Sequence, residues 1–320
     1  MLPINDNLPN IKDAKDYHYK IMRYFIKRKL NGDAFTENPP IAIDRRVNKV
    51  NGIKSSIVKF LNEEDNLKKV LIGNPKELDT IKDKFTSKGL KKSLKTLISY
   101  DSWIKTDDKS TYRYYNAYHL AEKLDIPTCV YCNRIYTKTV INSTGKKVTR
   151  PTFDHWFPKS DYPLLALSFY NLVPSCSVCN SGVKGSTPFS LSTHFHPYHN
   201  NPDEEFKYTF SYDHKDYDKF SFKLSTDNKF SEDSVNAFEL EEIFKAHEDE
   251  IEDLRRIKDA YSEDYIDMLE SKILDGITLD RDDVYRLAFG VHFQEAKFDR
   301  RPLSKMKKDI LIELGIIKTN

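Results

Sequence analysis

The sequence predicts an α+β protein that is mainly helical, with a small metal-stabilised core at its centre. Long stretches at both ends repeat apolar residues every three or four positions, which is the period of an amphipathic helix. Two short segments, 206–212 and 220–224, alternate apolar and polar residues as the strands of a hairpin do. All 4 cysteines lie in the middle of the chain as two C-x-x-C pairs. The predicted order is therefore N-terminal helices, a central core, and a C-terminal β-hairpin followed by helices.

Length and composition indicate a soluble protein of two or three structural units. The chain has 320 residues, of which 39% are hydrophobic and 31% are charged, and its net charge is +2. We divide it into an N-terminal helical region (1–110), a core (111–200) and a C-terminal region (201–320). The start of the chain does not resemble a secretion signal, and no stretch is apolar enough to cross a bilayer. We therefore expect a cytoplasmic protein with reduced thiols and no membrane partner.

The N-terminal region predicts several helices after a loose, proline-containing lead-in at residues 1–10. The first three helical segments are 14–30, 50–61 and 75–85. A fourth carries lysines at helical spacings beside an apolar stripe: Lys88, Lys91, Lys92 and Lys95. A basic amphipathic helix can contact a nucleic-acid backbone or face an acidic partner protein. We favour phosphate contact because of the motif that follows.

The central region is organised around two cysteine pairs, Cys129 with Cys132 and Cys176 with Cys179. Two C-x-x-C turns can present four thiolates to one tetrahedral zinc ion. A C-x-x-C also occurs in redox dithiols, and buried cysteines often serve only in packing. A redox site needs one pair rather than two, and packing does not explain the paired spacing. We therefore predict one structural zinc ion, with the aromatic segment 111–124 as a helix packed beneath it.

Between the cysteine pairs, the sequence predicts a β-hairpin that ends in Asp154 and His155. Two strand-like segments, 134–141 and 148–153, are joined by a turn at 142–145. A short helix is expected further along the chain, at 177–184. The helix includes Asn180. A carboxylate and an amide oxygen can hold a Mg²⁺-like ion, and a neutral imidazole beside it can take a proton from water. This combination suits the hydrolysis of a phosphodiester.

The motifs of this region resemble the HNH endonuclease family, in the type that carries a zinc-binding cysteine quartet. The two cysteine pairs, D-H, N-L-V-P-S-C-S-V-C-N and K-G follow one another over residues 123–200 in the order of that family. The resemblance implies a fold in which a β-hairpin and a helix grip one divalent metal ion. The longer string P-K-S-D-Y-P-L-L-A-L-S-F-Y-N-L-V-P-S-C is similar to HNH proteins of bacterial anti-phage loci.

The resemblance also implies a role for each site residue. His155 is expected to activate water, and Asn171 to hold the histidine loop and the imidazole in place. Asp154 and Asn180 are expected to bind catalytic Mg²⁺ or Mn²⁺, which makes the site an H-N-N variant. Lys184 is expected near the phosphate. The cysteine quartet is expected to hold zinc that takes no part in the chemistry.

Three histidines follow the motif within six residues: His194, His196 and His199. We interpret this segment as a loop bordering the site rather than as a second metal site. Pro197 favours a turn, and no acidic or cysteine partner is near in sequence.

The C-terminal region predicts the hairpin already described and then helices. One long helix is expected to begin at Ser234 and to stop near Gly276, because apolar residues recur at threes and fours between them. Two closing helices are expected at 280–293 and 303–314.

We therefore expect a metal-dependent endonuclease that hydrolyses phosphodiester bonds, and the resemblance implies products with 5′-phosphates. Double-stranded DNA is favoured over RNA by the habit of the family, and the expected role is defence against phage. Because no nucleotide-binding glycine loop occurs, a partner such as an ATPase or sensor subunit would have to supply any control by ATP. One alternative is a non-cleaving zinc module that binds nucleic acid or scaffolds a complex. Another is a housekeeping or homing nuclease with sequence-specific cutting.

Overall fold

The computed structural model describes residues 1–105, 110–199, 205–216, 219–260, 268 and 280–317. In this part of the chain the fold is α+β, with about half of the residues helical and small antiparallel two-stranded sheets between the helices. The predicted fold class is confirmed at this level. Buried apolar residues from all three predicted regions form one continuous cluster. In the described ranges, no helix combines the length and the apolar character needed to span a membrane.

The N-terminal region consists of helices packed around the first and longest one. The helices are α1 (Pro9–Asn31), α2 (Ser55–Asn62), α3 (Glu64–Ile72), α4 (Pro75–Ile81), α5 (Lys88–Ile98), α6 (Tyr100–Ile104) and α7 (Ala117–Leu124). Helix α1 contacts α3, α5 and α7. The segment expected as one helix over 75–85 ends as a 3₁₀ turn at Lys82–Phe85.

The predicted loose lead-in is wrong, because the first residues are part of the core. Met1 and Leu2 are buried. The Leu2 amide donates to the carbonyl of Val130 over 2.7 Å, and the Ile4 amide donates to that of Pro197 over 2.7 Å. Apolar side chains at the start of the chain and two backbone hydrogen bonds outweigh its loop-like composition. The N-terminus therefore packs against the first cysteine turn.

The central strands pair differently from the predicted hairpin. The strands are β1 (Val140–Ile141), β2 (Lys147–Thr149), β3 (Thr152–His155) and β4 (Leu172–Ser175). β1 pairs with β2, as the turn between them predicts, but β3 pairs antiparallel with β4. The strand that ends in Asp154 and His155 therefore pairs with the segment after Asn171. A π-helical segment, Val178–Lys184, follows β4 and corresponds to the expected short helix.

The C-terminal region begins with the expected β-hairpin. Its elements are β5 (Tyr208–Asp216), β6 (Lys219–Thr226), α8 (Lys229–Asn236), α9 (Leu240–Lys245), α10 (Glu248–Ala260), α11 (Arg281–Phe289) and α12 (Ser304–Glu313). α12 packs on β5 and against α10. The expected helix stop at Gly276 lies outside the described residues.

The prediction of one long helix from Ser234 is wrong, because the chain turns between α8, α9 and α10. Glu239 adopts a left-handed conformation with φ of 47° between α8 and α9. The turn buries Phe238, which stacks on Tyr131 with ring centroids 4.1 Å apart. The turn also packs Phe244 against Phe210 of the β5–β6 hairpin, with ring centroids 4.6 Å apart. Aromatic packing therefore overrides the helical period here.

Candidate metal cluster and active-site cleft

The four cysteines form one buried cluster. The sulfur atoms of Cys129, Cys132, Cys176 and Cys179 all lie within 4.8 Å of one another. A tetrahedral zinc ion with Zn–S bonds of about 2.3 Å holds its sulfurs roughly 3.8 Å apart. The cluster is close to that size and consists of ligands that zinc prefers. The cysteines could therefore hold a metal ion such as zinc.

Both cysteine turns aim backbone amides at sulfur. The amide of Arg134 donates to Cys132 Sγ over 3.4 Å, and that of Cys179 donates to Cys176 Sγ over 3.4 Å. Hydrogen bonds from the neighbouring thiols, that of Cys129 foremost, lower the pKa of Cys176, whereas burial raises the pKa of Cys129. Backbone amides that donate to sulfur stabilise the thiolate, which is the form of cysteine that binds metal.

The first cysteine turn is also fixed by the C-terminal region. Asn133, which follows Cys132, has a left-handed backbone with φ of 50°. Its side-chain amide donates to the carbonyl of Phe298 over 2.8 Å, and its own carbonyl accepts from the Leu303 amide over 2.6 Å. The cluster therefore connects the central hairpin to the segment that precedes α12.

Asn171 fixes the long loop between β3 and β4. Its Oδ1 accepts from the Phe157 amide over 2.7 Å, and its Nδ2 donates to the carbonyls of Phe157 over 3.1 Å and Leu165 over 3.0 Å. The side chain is completely buried. These bonds close the loop that starts directly after His155. Asn171 thus contacts the histidine loop, while the imidazole itself is held by another group.

The imidazole of His155 is held at one nitrogen, and its other nitrogen has no hydrogen-bond partner among the residues that the structure describes. Its Nε2 donates to the carbonyl of Ala166 over 2.9 Å. The ring also meets Tyr100 edge-on, with centroids 4.5 Å apart. Burial lowers the pKa of His155 to about 3, so the ring is neutral near pH 7. In the neutral tautomer fixed by Ala166, Nδ1 carries the lone pair that can accept a proton.

Asp154 is buried and held at both carboxylate oxygens. Oδ2 accepts from the Tyr131 hydroxyl over 2.7 Å, and Oδ1 accepts from the Lys184 ammonium at 3.2 Å. Burial raises the pKa of Asp154 above its ordinary value, although the charge of Lys184 acts in the opposite direction. Burial therefore penalises the charged form of this carboxylate, a penalty that a bound cation would reduce.

Lys184, which the resemblance implies near the phosphate, lies beside Asp154. Its side chain is fully buried, and its ammonium also donates to the carbonyl of His155 over 3.0 Å. The ammonium lies 4.9 Å from the centre of the Phe189 ring. In this arrangement Lys184 holds the Asp154–His155 backbone rather than facing solvent.

Asp154, His155 and Asn180 line a common cleft of about 600 Å³. The cleft also includes Lys95 from α5, Tyr100 from α6 and Lys159 from the β3–β4 loop. The side-chain amide of Asn180 makes no hydrogen bond with the described part of the chain. A carboxylate and an uncommitted amide at one cleft fit the oxygen ligands that Mg²⁺ prefers.

Among the lysines expected to meet nucleic acid, Lys95 is the one that lines the cleft. Lys91 lies 3.9 Å from Asp161, whereas Lys88 and Lys92 are exposed. Because α5 packs against the Pro163–Leu165 turn of the β3–β4 loop, the basic helix and the cleft are adjacent.

The histidine segment is not part of a metal cluster in the described residues. There, the cysteine quartet is the one group of three or more His, Cys, Asp or Glu side chains close enough to share an ion. His196 is buried, and its Nδ1 accepts from the Tyr198 amide over 3.2 Å. His194 stacks on Phe189 with ring centroids 4.3 Å apart.

Two site residues were not found by sequence reasoning. Tyr131 lies inside the first C-x-x-C and contacts Asp154, but an aromatic residue between two cysteines carries no pattern that predicts this bond. Tyr100 contacts His155 from a helix that lies far upstream in sequence. The lysines of α5 lie close to Tyr100 in sequence, but their pattern does not predict a role for Tyr100.

No protein-family model, no curated protein and no solved structure matches this chain. The site itself therefore carries the functional argument.

Proposed function

We propose that this chain is a metal-dependent endonuclease of the HNH type that hydrolyses phosphodiester bonds in double-stranded DNA. The observation that carries the proposal is the convergence of Asp154, His155 and Asn180 on one cleft beside a buried cysteine quartet. A carboxylate, a neutral imidazole and an amide are the groups that metal-assisted hydrolysis of a phosphodiester needs.

His155 is the general base in this proposal. Its Nε2 is committed to the Ala166 carbonyl, so a water in the cleft can give its proton only to Nδ1. Burial keeps the ring neutral, and the edge contact with Tyr100 limits its rotation. The base is thus ready to accept a proton without a change of tautomer.

Asp154 and Asn180 are the proposed ligands of the catalytic cation. Mg²⁺ or Mn²⁺ bound there would stabilise negative charge on the phosphate and on the leaving 3′ oxygen. Tyr131 and Lys184 each donate to one carboxylate oxygen, so they fix the orientation of Asp154. Asn180 directly follows Cys179, and this adjacency ties its position to the cysteine cluster.

Cleavage of supercoiled plasmid DNA tests the metal assignment. The protein is first treated with a chelator mild enough to spare the buried thiolate site, and Mg²⁺ or Mn²⁺ is then titrated back. We expect cutting to depend on the added ion, and Asp154→Asn and Asn180→Ala to need a higher concentration of it. Ser186→Ala, at the rim of the same cleft, is the matched control and should cut like the wild type.

Failure to cut under any ion would contradict the proposal and would favour the rival function, a non-cleaving module that binds nucleic acid or scaffolds a complex. Discrete fragments at every enzyme concentration would instead favour a sequence-specific housekeeping or homing nuclease. The proposed setting is the bacterial cytoplasm, in defence against phage DNA together with an ATPase or sensor subunit. The support for this setting is the resemblance of the motif string.

A further inference from the structure

Residues 134–150, here called the basic ribbon, run from the first cysteine turn through the short β1–β2 hairpin, which the proposed chemistry does not use. β1 and β2 pair within it, with Val140 opposite Thr149 and Ile141 opposite Lys147. At the tip, Asn142 Oδ1 accepts from the amides of Thr144 over 3.0 Å and Lys146 over 2.8 Å. Gly145 has a φ of 80°, which suits the tight turn. The part of the ribbon from Val140 to Thr149 is therefore an ordered hairpin rather than an irregular loop.

The charge of the basic ribbon has a single sign. It contains no aspartate or glutamate, and it carries five basic residues: Arg134, Lys138, Lys146, Lys147 and Arg150. The chain as a whole has a formal net charge of only +2, so this segment is much more basic than the rest of the chain. Lys138 and Lys146 are exposed and form no ion pair with an acid in the described part of the chain. A surface of this kind attracts polyanions.

The ribbon also exposes apolar side chains that a solvated hairpin would not favour. Tyr136 is 50% exposed, Val140 43% and Val148 57%. Half of the large apolar side chains that are exposed in the described residues lie on it, the others being Leu8, Val178 and Leu287. Cations mixed with β-branched and aromatic residues are suited to a partner that offers both phosphates and base edges.

The base of the ribbon is fixed beside the cleft. It begins two residues after Cys132 and ends two residues before β3, the strand of Asp154. At its end, Arg150 donates to the carbonyl of Ile104 in α6 over 3.4 Å. From Arg150 to the turn at Gly145, the strand extends roughly 17 Å at about 3.3 Å per residue. The hairpin therefore starts from a point that is fixed on α6, the helix that contributes Tyr100 to the cleft.

We propose that the basic ribbon is a second contact surface for the DNA duplex, lying in its major groove beside the cleaved phosphodiester. The inference rests on the proposed nuclease function and adds to it where the duplex is held. The major groove of B-form DNA, about 12 Å wide, admits a two-stranded β-ribbon. The major groove of an RNA helix is deep and narrow and does not admit one. The ribbon therefore selects duplex DNA over duplex RNA.

The test is a binding titration with Lys138→Gln/Lys146→Gln, made in a His155→Ala background so that the DNA stays intact. Fluorescence anisotropy is measured with duplex DNA, duplex RNA and single-stranded DNA at several salt concentrations. Lys68→Gln/Lys258→Gln is the matched control, since both lysines are exposed and lie outside the ribbon and the cleft. Lys138→Arg/Lys146→Arg keeps the charge and reports on whether the ribbon folds.

We expect the glutamine pair to weaken binding of duplex DNA and to flatten the plot of log affinity against log salt by about two units, one for each lost phosphate contact. The control pair and the arginine pair should bind like the parent protein, and affinity for duplex RNA should not change. A parent protein that binds and cuts DNA, together with an unchanged slope in the glutamine pair, overturns the ribbon surface and leaves the nuclease function standing. If the glutamine pair keeps its affinity for DNA but no longer co-purifies with an acidic protein, the assignment of the ribbon to DNA is also overturned. A parent protein that neither binds nor cuts DNA overturns both.

Discussion

The cysteine cluster and the Asp154–His155 cleft share the π-helical segment, which contains Cys179 and Asn180, but they are assembled in different ways. All of the cluster's sulfurs come from two short turns, each of which brings its own backbone amide to sulfur. The cleft combines the ends of β3 and the π-helical segment with residues of α5, α6 and the β3–β4 loop. Local spacing determines the first site, whereas the second exists only when distant helices pack. The cluster should therefore govern folding, and the cleft should govern chemistry.

The two sites are nevertheless joined. Tyr131 lies between Cys129 and Cys132 and donates to Asp154, and Asn180 follows Cys179. A change in the cluster should therefore reach the cleft, while a change in the cleft should leave the cluster intact. This asymmetry is what the following predictions test.

The largest effect is expected from loss of a cluster ligand. Cys176→Ser should reduce bound zinc from about one per chain to near zero and remove cooperative unfolding, because metal binding supplies folding energy at such sites. Elemental analysis and thermal unfolding followed by circular dichroism measure both effects. Ser177→Ala, at the exposed neighbouring position, is the control. A folded Cys176→Ser protein with wild-type stability would show that the cluster is not structural.

A smaller effect is expected at the connection between the sites. Tyr131→Phe removes one hydrogen bond to the Asp154 carboxylate and keeps the ring that stacks on Phe238. A hydrogen bond to a charged group contributes about 1.5–3 kcal/mol, so cleavage should fall by about tenfold or more. Zinc content should not change. A variant that loses zinc, or one that cuts at the wild-type rate, would contradict the role given to Tyr131.

The smallest effect is expected on the helix beside the cleft. Lys92→Glu/Lys95→Glu should weaken DNA binding and reduce its salt slope by up to about two units, since Lys95 lines the cleft and Lys92 is exposed on the same helix. The rate of cleavage per bound complex should stay the same. Anisotropy titrations against Lys68→Glu/Lys258→Glu measure this. An unchanged slope together with the loss of a co-purifying protein would assign α5 to a protein partner instead.

Residue spacing was enough to predict the cysteine cluster, but strand pairing and burial were not contained in any local pattern. The partner of β3 begins after Asn171 and contains Pro174, a residue that counts against a strand in sequence analysis. Lys184 was expected near the phosphate by resemblance, and its burial could not be predicted because a lysine is rarely buried unless it is paired. Asp154, the backbone of His155 and the Phe189 ring provide those partners only in the folded protein.

The same limit applies to the helices. The predicted long helix divides because Phe238 and Phe244 pack on Tyr131 and Phe210, two residues that the apolar period of the helix does not include. Tyr100 reaches His155 from α6, so its role depends on how the N-terminal helices pack on the hairpin. The C-terminal hairpin, in contrast, was predicted by its alternation alone, since β5 and β6 pair locally.

Zinc content and plasmid cleavage, measured on the same preparations of wild-type and His155→Ala protein, test the separation of the two sites most directly. The account predicts equal zinc, near one ion per chain, and a loss of cleavage of at least about a hundredfold in the variant, because general-base catalysis contributes about 10²–10⁴ to the rate. Wild-type cutting by His155→Ala at equal zinc would contradict the assignment of the base and, with it, the proposed function.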